Sequence, residues 1–496
     1  MSTRLSQGSY RRLAMVVNIV ALVIFVRVCA AAPQVSVRIH LIPETSRVEI
    51  EGSCPPTTRW SFPDSYAGAL GLGNRVEKFA VLDESGAEIP TRKLAPGQFD
   101  STKAASRFRY EVNLTPLLSS SDSARVSWLN KQRGLLMLAD LLPIISAEKT
   151  GAMAATVKFQ APDSWVVQSN EGDTQQSALG VPDIDRAVFA VGMNLRTSRL
   201  TESGMSFRLV TDGEWAFADS DVSEMVARIL KAHREVFGAM PGKQGTLILF
   251  PFPGPAAANQ WSAETRGATV TLLMGKLPSK IGALAQISTP LTHELFHLWV
   301  PNALALDGNY DWFYEGFTVY QAARTAVRLD LLTFPEFLNS IGRAYDASNA
   351  QTNSVSLIEA SSRRWTSGQS AVYSKSMVVA FLYDLRMRSS SHGKKSLDSV
   401  YRSILQKHSS GAAGRSDGNE AVTRALATDE ASENFAQQFI RNPVTINLTN
   451  ELSPFGLQVE TFGLRTRIGV SEKLNKQQRD LLRELGYNDA VRSPRK

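Results

Sequence analysis

The sequence predicts a multidomain α+β protein: a β-sandwich-like N-terminal domain, a central domain made of a small sheet plus a histidine-bearing helix, and a mainly α-helical C-terminal domain. Three observations carry this. Short runs of alternating apolar and polar residues, separated by Pro, Gly, Ser and Asp clusters, fill the chain to about Arg208. Two more strand-like runs then lead into Leu291-Thr-His-Glu-Leu-Phe-His-Leu-Trp299. From Asp311 onward the apolar residues fall mostly at helical spacing.

At the N-terminus, Arg4, Arg11 and Arg12 precede an apolar run over 13–26, and Cys29-Ala-Ala-Ala32 offers small residues for cleavage. This is a secretory layout, so residues 1–32 are expected to be a signal peptide and the protein to be exported, periplasmic or secreted. Arg27 interrupts the run before it reaches the roughly 20 apolar residues of a span. An uncleaved segment would instead anchor the protein in a membrane. Cleavage would leave Cys54 alone, with no intrachain disulfide to form.

Residues 33–210 then read as the β-rich domain, through Val35-Ser-Val-Arg-Ile-His-Leu-Ile, Arg47-Val-Glu-Ile-Glu, Arg107-Phe-Arg-Tyr-Glu-Val-Asn-Leu, Ala124-Arg-Val-Ser-Trp-Leu and Ala155-Thr-Val-Lys-Phe. His40 lies inside a strand pattern and reads as a packed or surface residue. The central domain, 211–330, opens with a helix carrying Val222, Met225, Val226, Ile229 and Leu230, capped by Ser220 or Asp221. His233 falls near its end, where a cation suits the helix dipole, and reads as structural. Strands at 245–250 and 268–274 follow, with Trp261-Ser-Ala-Glu-Thr-Arg266 between them, and a strand edge there could pair with an extended peptide. Pro290 suits the first turn of the next helix, with Ser288 or Thr289 as its cap. Helices are expected at about 311–329, 334–348, 371–388, 396–407, 419–427 and 433–441. Those beyond 330 make a helical domain over 331–450 that completes a cleft. The extension 451–496 holds two short strands at 456–460 and 466–470, a helix at 476–485 and a frayed tail from Ser493.

Composition bounds the partners. A chain of 496 residues exceeds one ordinary core. With 43% hydrophobic and 20% charged residues it is neither disordered nor a multi-span membrane protein. The net charge is +7, but four of the positive charges are Arg4, Arg11, Arg12 and Arg27, in a segment without acids. The remaining excess is small, so no nucleic-acid partner is implied.

The chemistry concentrates in one stretch. His293 and His297 are four residues apart, so on a helix both imidazoles face one metal, with Glu294 beside them to move a proton. Catalytic zinc takes three protein ligands and keeps one position open. Glu315 in Trp312-Phe-Tyr-Glu-Gly-Phe-Thr318 is the candidate third ligand, because the loop 302–310 lets a second helix present its first turn to the first. One Zn2+ per chain is expected. Phe296 and Trp299 read as packing, and Asp307, Asp311 and Asp384 are candidates to orient the histidines.

The segments His-Glu-x-x-His-x-Trp and Trp-x-x-Glu-Gly-Phe-Thr-x-Tyr, at 293–299 and 312–320, resemble the glycyl aminopeptidase family of gluzincin metallopeptidases. So do Leu357-Ile-Glu-Ala-Ser-Ser-Arg-Arg-Trp365, Val372-Tyr-Ser-Lys-Ser376 and Leu382-Tyr-Asp-Leu-Arg-Met-Arg388 running into Lys394-Lys-Ser-Leu-Asp398. The resemblance is specific over about 240–410 and looser across the N-terminal region. It implies a thermolysin-like zinc peptidase domain with His293, His297 and Glu315 as ligands and Glu294 as general base. It also implies Tyr373 as a donor to the tetrahedral oxyanion. Three departures stand out. Ser376 replaces a Gly, Glu264 survives in a segment that grips the substrate's amino terminus while its neighbours differ, and too few residues follow Phe462 for the PDZ domain of many relatives.

The expectation is therefore a zinc peptidase acting on peptide or protein substrates, an aminopeptidase preferring small N-terminal residues such as Gly or Ala. Two other readings stay open: a zinc endopeptidase with the same site, and a peptide-binding envelope protein with little turnover, which Thr265 and Ser376 would suit.

Overall fold

The computed structural model describes residues 35–145, 152–173, 177–350, 355–409 and 414–488. The segment 1–32 expected as a signal peptide, with Cys29, and the tail from Ser493 lie outside the described residues. No helix among the described residues is long and apolar enough to cross a membrane. Cys54 is buried and unbridged.

Strand alternation builds three stacked sheets. The first has eight strands, with Ala155–Gln160, Val35–Ile42, Arg47–Ser61, Gln98–Asn113 and Val76–Leu82 as successive neighbours. Its apolar face carries Val37, Ile39, Val48, Ile50, Phe108 and Tyr110. The second has five strands in the order Gly172–Asp173, Val166–Ser169, Val188–Gly192, Arg133–Met137 and Trp128–Leu129. Both of its faces are covered, so its central strands read as unbroken apolar runs. Leu136, Phe189 and Val191 close the core with the first sheet. Their alternates Leu135, Met137, Val188 and Ala190 pack against Val210, Ile248, Phe250 and Leu273 of the third sheet. The N-terminal part is thus sandwich-like, and its second layer is shared.

The third sheet runs Arg196–Glu202, Met205–Thr211, Gln244–Pro251, Thr269–Met274, Trp261–Arg266. Met205–Thr211 and Gln244–Pro251 are parallel, joined by the helix Asp219–Phe237. Trp261–Arg266 is antiparallel to Thr269–Met274 and forms the sheet edge. Helices cover the remaining face, where Leu247, Leu249, Val270 and Leu272 meet Ile287, Leu291 and Leu295 in one core with the C-terminal helices.

Four local expectations change. The run at 124–129 is a strand only at Trp128–Leu129. Side chains from elsewhere satisfy its earlier backbone: Arg266 and Arg75 donate to the carbonyls of Arg125 and Ser127, and Asp140 accepts from the Ser127 amide. The helix carrying His293 starts at Lys280, capped by Ser279, which places Pro290 in its interior. Ala283, Ile287, Leu291 and Leu295 make a continuous apolar stripe that outweighs the hydrogen bond lost at the proline. The helix expected to open the central domain begins at Asp219 with Ala218 at its N-cap, and Asp221, three residues on, accepts from the Ala218 amide. Finally, the segment expected as one α-helix from 311 opens with a wide i→i+5 turn, Trp312–Phe317, before the α-helix Thr318–Arg328.

The later elements follow the expected order: helices Phe334–Asn349, Ser376–Ser391 after a wide turn Ala371–Lys375, Leu397–His408, Gly418–Leu426 and Glu430–Ala436 running into a wide turn Gln437–Arg441, then the hairpin Leu457–Phe462 with Arg465–Val470, and the helix Lys476–Glu484.

Candidate active site

His293 lies in the last turn of its helix and His297 caps it in a still-helical conformation, so the four-residue spacing keeps both imidazoles on one face. Their Nε2 atoms are 3.0 Å apart. Glu315 Oε2 lies 3.2 Å from His293 Nε2 and 3.5 Å from His297 Nε2. The three donor atoms fall within 4.8 Å of one another. His297 Nδ1 donates to the Val300 carbonyl at 2.8 Å, which leaves Nε2 as the ring's lone-pair nitrogen. Two imidazole nitrogens and one carboxylate oxygen, with room for a fourth ligand, suit a zinc-type cation. The residues therefore fit such a metal.

Electrostatics agree with that chemistry. Burial opposes a charge on Glu315, but His297, Arg364 and His293 outweigh it and hold its carboxyl well below the usual range. Burial likewise opposes a charge on His297, yet Glu315 and Glu294 push it up to about 9. The proton that the cluster attracts marks where a cation is stabilised.

Three wide turns surround the cluster. Glu315 sits on Trp312–Phe317, Arg364 on Arg364–Gly368 and Tyr373 on Ala371–Lys375. Such turns recur at functional sites because they re-aim side chains within a helix. Gly316 lets two of them touch: a Cβ there would lie 2.2 Å from Ser376 Cβ and 2.3 Å from the Val372 carbonyl oxygen. Ser376 itself is fully buried and donates to the Ala371 carbonyl at 3.1 Å, so the Gly-to-Ser departure is absorbed in packing.

These elements line a cleft of about 350 Å³, with Tyr66, Arg125, Glu264, Thr265, His293, Glu294, His297, Glu315, Arg364, Trp365 and Tyr373 among its walls. All six residues singled out from the sequence reach it. Glu294 Oε2 lies 2.7 Å from the Thr265 hydroxyl, which can also reach the Glu294 carbonyl at 3.0 Å. Burial and the charge of Glu315 raise Tyr373 above its ordinary range, so it stays a protonated donor. Burial raises the Glu264 carboxyl despite Arg266 and Arg125.

Four residues of the site were not singled out for a role. Arg364 donates to Glu315 at 2.8 Å, to Asp311 at 2.9 Å and to the Tyr373 hydroxyl. The pair Arg363-Arg364 beside Trp365 was its only sequence signal. Tyr66 donates to Glu264 Oε1 at 3.0 Å, and Arg125 Nε lies 3.5 Å from Glu264 Oε2. Thr265 completes the set. Of the three aspartates offered as partners of the histidines, Asp311 acts on Glu315 through Arg364. Asp384 pairs with Arg388 and Tyr320, and Asp307 with Arg415. The observed orienting group for His297 is the Val300 carbonyl. His40 bonds Glu49 at the surface. His233 is structural, but as a neutral group: burial lowers it to about 3, and Nε2 donates to the Thr292 carbonyl at 2.9 Å. Phe296 and Trp299 pack against Phe237.

The sequence matches no protein-family model and no curated protein. The fold matches solved structures. An aminopeptidase N family protein from Idiomarina loihiensis superposes with a TM-score of 0.73 at 18% identity, over 86% of this chain and 79% of that one. An M1 zinc metallopeptidase from Deinococcus radiodurans superposes with a TM-score of 0.54 at 15% identity, over 83% of this chain and 95% of that one. A variant of that enzyme bound to a Tyr-Ser-Ala substrate gives a TM-score of 0.55 at 12% identity, over 84% and 94%. At these identities the likeness establishes the fold.

Proposed function

We propose that the protein is a zinc-dependent peptidase of the gluzincin type, an aminopeptidase that prefers small N-terminal residues such as Gly or Ala. The observation that carries this is the convergence of His293, His297 and Glu315 in a cleft that also presents Glu294 and Tyr373. The fold likeness to zinc metallopeptidases supports it. His293, His297 and Glu315 would hold one Zn2+, which supplies Lewis acidity to a water molecule and to a peptide carbonyl.

The chain's own groups do the rest. Glu294, with Thr265 fixing one carboxylate oxygen, takes the proton of the attacking water and returns it to the leaving amine. Tyr373, aligned by Arg364, donates to the oxyanion as the carbonyl becomes tetrahedral. Glu264, on the sheet edge, meets the substrate's free amino group, and the unpaired side of that strand offers backbone partners to an extended peptide. Thr265 and Ser376, the two departures that suited a protein with little turnover, both have constructive contacts. The secretory layout of residues 1–32 supports an activity outside the cytoplasm.

The test is metal analysis and hydrolysis of alanyl and glycyl peptides by the native protein and by Glu294→Gln. One zinc per chain is expected in both, with hydrolysis in the variant lower by about 10²–10⁴-fold. Absence of zinc, or equal hydrolysis, would overturn the proposal. The endopeptidase reading keeps one specific observation in its favour: both oxygens of Glu264 already face partners within the protein.

A further inference from the structure

One wall of the cleft comes from the N-terminal half of the chain and carries a cation of its own. Tyr66 belongs to the small hairpin Ser65–Tyr66 and Ala69–Leu70, and Arg125 to the segment before Trp128–Leu129. Gly68 turns that hairpin at φ +89°, where an added Cβ would come within 3.3 Å of the Trp365 ring, so the turn lies close against Trp365. Arg125 sits over the same ring, 5.6 Å from its centroid, and donates to the Ala67 carbonyl at 3.3 Å.

Arg125 and Arg364 differ in how their charge is used. Arg364 spends its fork on two carboxylates and two tyrosine hydroxyls. The Nε of each is buried without a hydrogen-bond partner, but Arg125 donates to a backbone carbonyl instead of a carboxylate, and its Nε lies 3.5 Å from Glu264 Oε2. Packing against Trp365 and the hairpin holds it there. This guanidinium therefore stands close to Glu264 without a hydrogen bond to it.

A free α-ammonium seeking Glu264 therefore enters a space that already holds a positive charge. Like charges brought together disfavour binding, and the penalty falls on one class of ligand only. A blocked amino terminus or an interior peptide unit brings no charge. We propose that Arg125 is a specificity-determining residue, a built-in rival of the substrate's ammonium group for Glu264, which weakens the grip on free amino termini and narrows their advantage over acylated or interior peptide segments. This rests on the reading of the cleft as a peptide site.

The test measures binding on the zinc-loaded Glu294→Gln protein, with Ala-Ala-Phe amide and its N-acetyl form as probes, by calorimetry. The readout is the ratio of the two dissociation constants, free over acetylated. Arg125→Met and Arg125→Gln should each lower this ratio by about tenfold, the equivalent of about 1.4 kcal/mol. Arg125→Lys, which keeps the charge, should hold the ratio near the parent's, and adding Glu264→Gln should cancel the gain. Glutamine keeps a polar, uncharged group on a stem of the same length to Cδ, so a folding failure of the methionine variant leaves the test standing. A ratio unmoved by loss of charge, or one moving the other way, would overturn the role of Arg125 while leaving the peptidase reading intact. Failure of both peptides to bind any of the proteins would overturn both.

Discussion

Gly316→Ala is the smallest change that should disable the site without touching a metal ligand. The added Cβ would lie 2.2 Å from Ser376 Cβ and 2.3 Å from the Val372 carbonyl oxygen. Ordinary carbon contacts are about 3.5–4.0 Å, so each overlap exceeds about 1 Å. No rotamer relieves it, because one obstacle is a Cβ and the other is backbone. The turns Trp312–Phe317 and Ala371–Lys375 must move apart, carrying Glu315 and Tyr373 with them. Overpacking costs about 1–3 kcal/mol, and a backbone shift belongs at the upper end of that range. A displacement of about 1 Å in a reacting group costs about 10² in rate. Zinc affinity, measured against a competing chelator, and kcat/KM on a small peptide should both fall, the latter by about 10²-fold. Adding Ser376→Gly removes one obstacle but not the Val372 carbonyl, so it should restore only part of the loss. Native zinc affinity and rate in Gly316→Ala would refute the reasoning, and full rescue by Ser376→Gly would refute the part assigned to Val372.

Arg364→Met should strip the buried Glu315 and Asp311 of their shared counter-ion, costing about 3–5 kcal/mol, the range for breaking a buried pair from one side. A native melting temperature for this variant in the zinc-loaded state would contradict the assignment. His233 gives a pH signature: it is held at about 3 in the folded protein against 6.5 for the unperturbed group. Between those values the unfolded chain binds a proton that the native state lacks, so stability falls as pH drops below about 6.5, by at most about 1.4 kcal/mol per unit. In His233→Phe the lost bond to Thr292 should lower stability at pH 7.5, while the slope between pH 6.5 and 5 should become shallower. Parallel urea-unfolding profiles for the two proteins would rule this out.

What the sequence made legible was local. The spacing of His293, Glu294 and His297 is a property of one helix, and the alternation of Val35 to Ile42 is a property of one strand, so both survive without knowledge of the rest of the fold. The start of the His293 helix was misjudged because Pro290 is read from its own ring, whereas the stripe Ala283, Ile287, Leu291 and Leu295 is stabilised by the sheet beneath it. The strand at 124–129 failed for a related reason. Its alternation is real, but Arg75, Arg266 and Asp140 supply the hydrogen bonds that a neighbouring strand would have made. Tyr66 and Arg125 carry no signal, and Arg364 only its place in the 357–365 segment, because an arginine or tyrosine in isolation carries no spacing. Their role exists only once segments far apart in the chain meet around Glu264 and Glu315.

That meeting is held by charge as well as by packing. Asp140 is almost fully buried and lies 3.7 Å from Arg75 and 3.6 Å from Arg266, while the Arg266 guanidinium stacks 3.7 Å from the Tyr66 ring centroid. Two guanidinium groups share the one carboxylate of Asp140 in a buried place, and Arg266 Nε and Nη1 make no hydrogen bond there. Such a cluster is a poor way to gain stability, since apolar replacements of similar volume are often as stable. Its value lies in placement. Arg266 ends the edge strand that carries Glu264 and Thr265, and Asp140 belongs to the layer shared with the N-terminal sheets. Tyr66, stacked on that arginine, aims its hydroxyl at Glu264. The cluster thus fixes the edge strand, the hairpin and Glu264 in one register. The position of Glu264 is consequently set by residues of the N-terminal half, at a distance in sequence from the helix that carries His293 and His297.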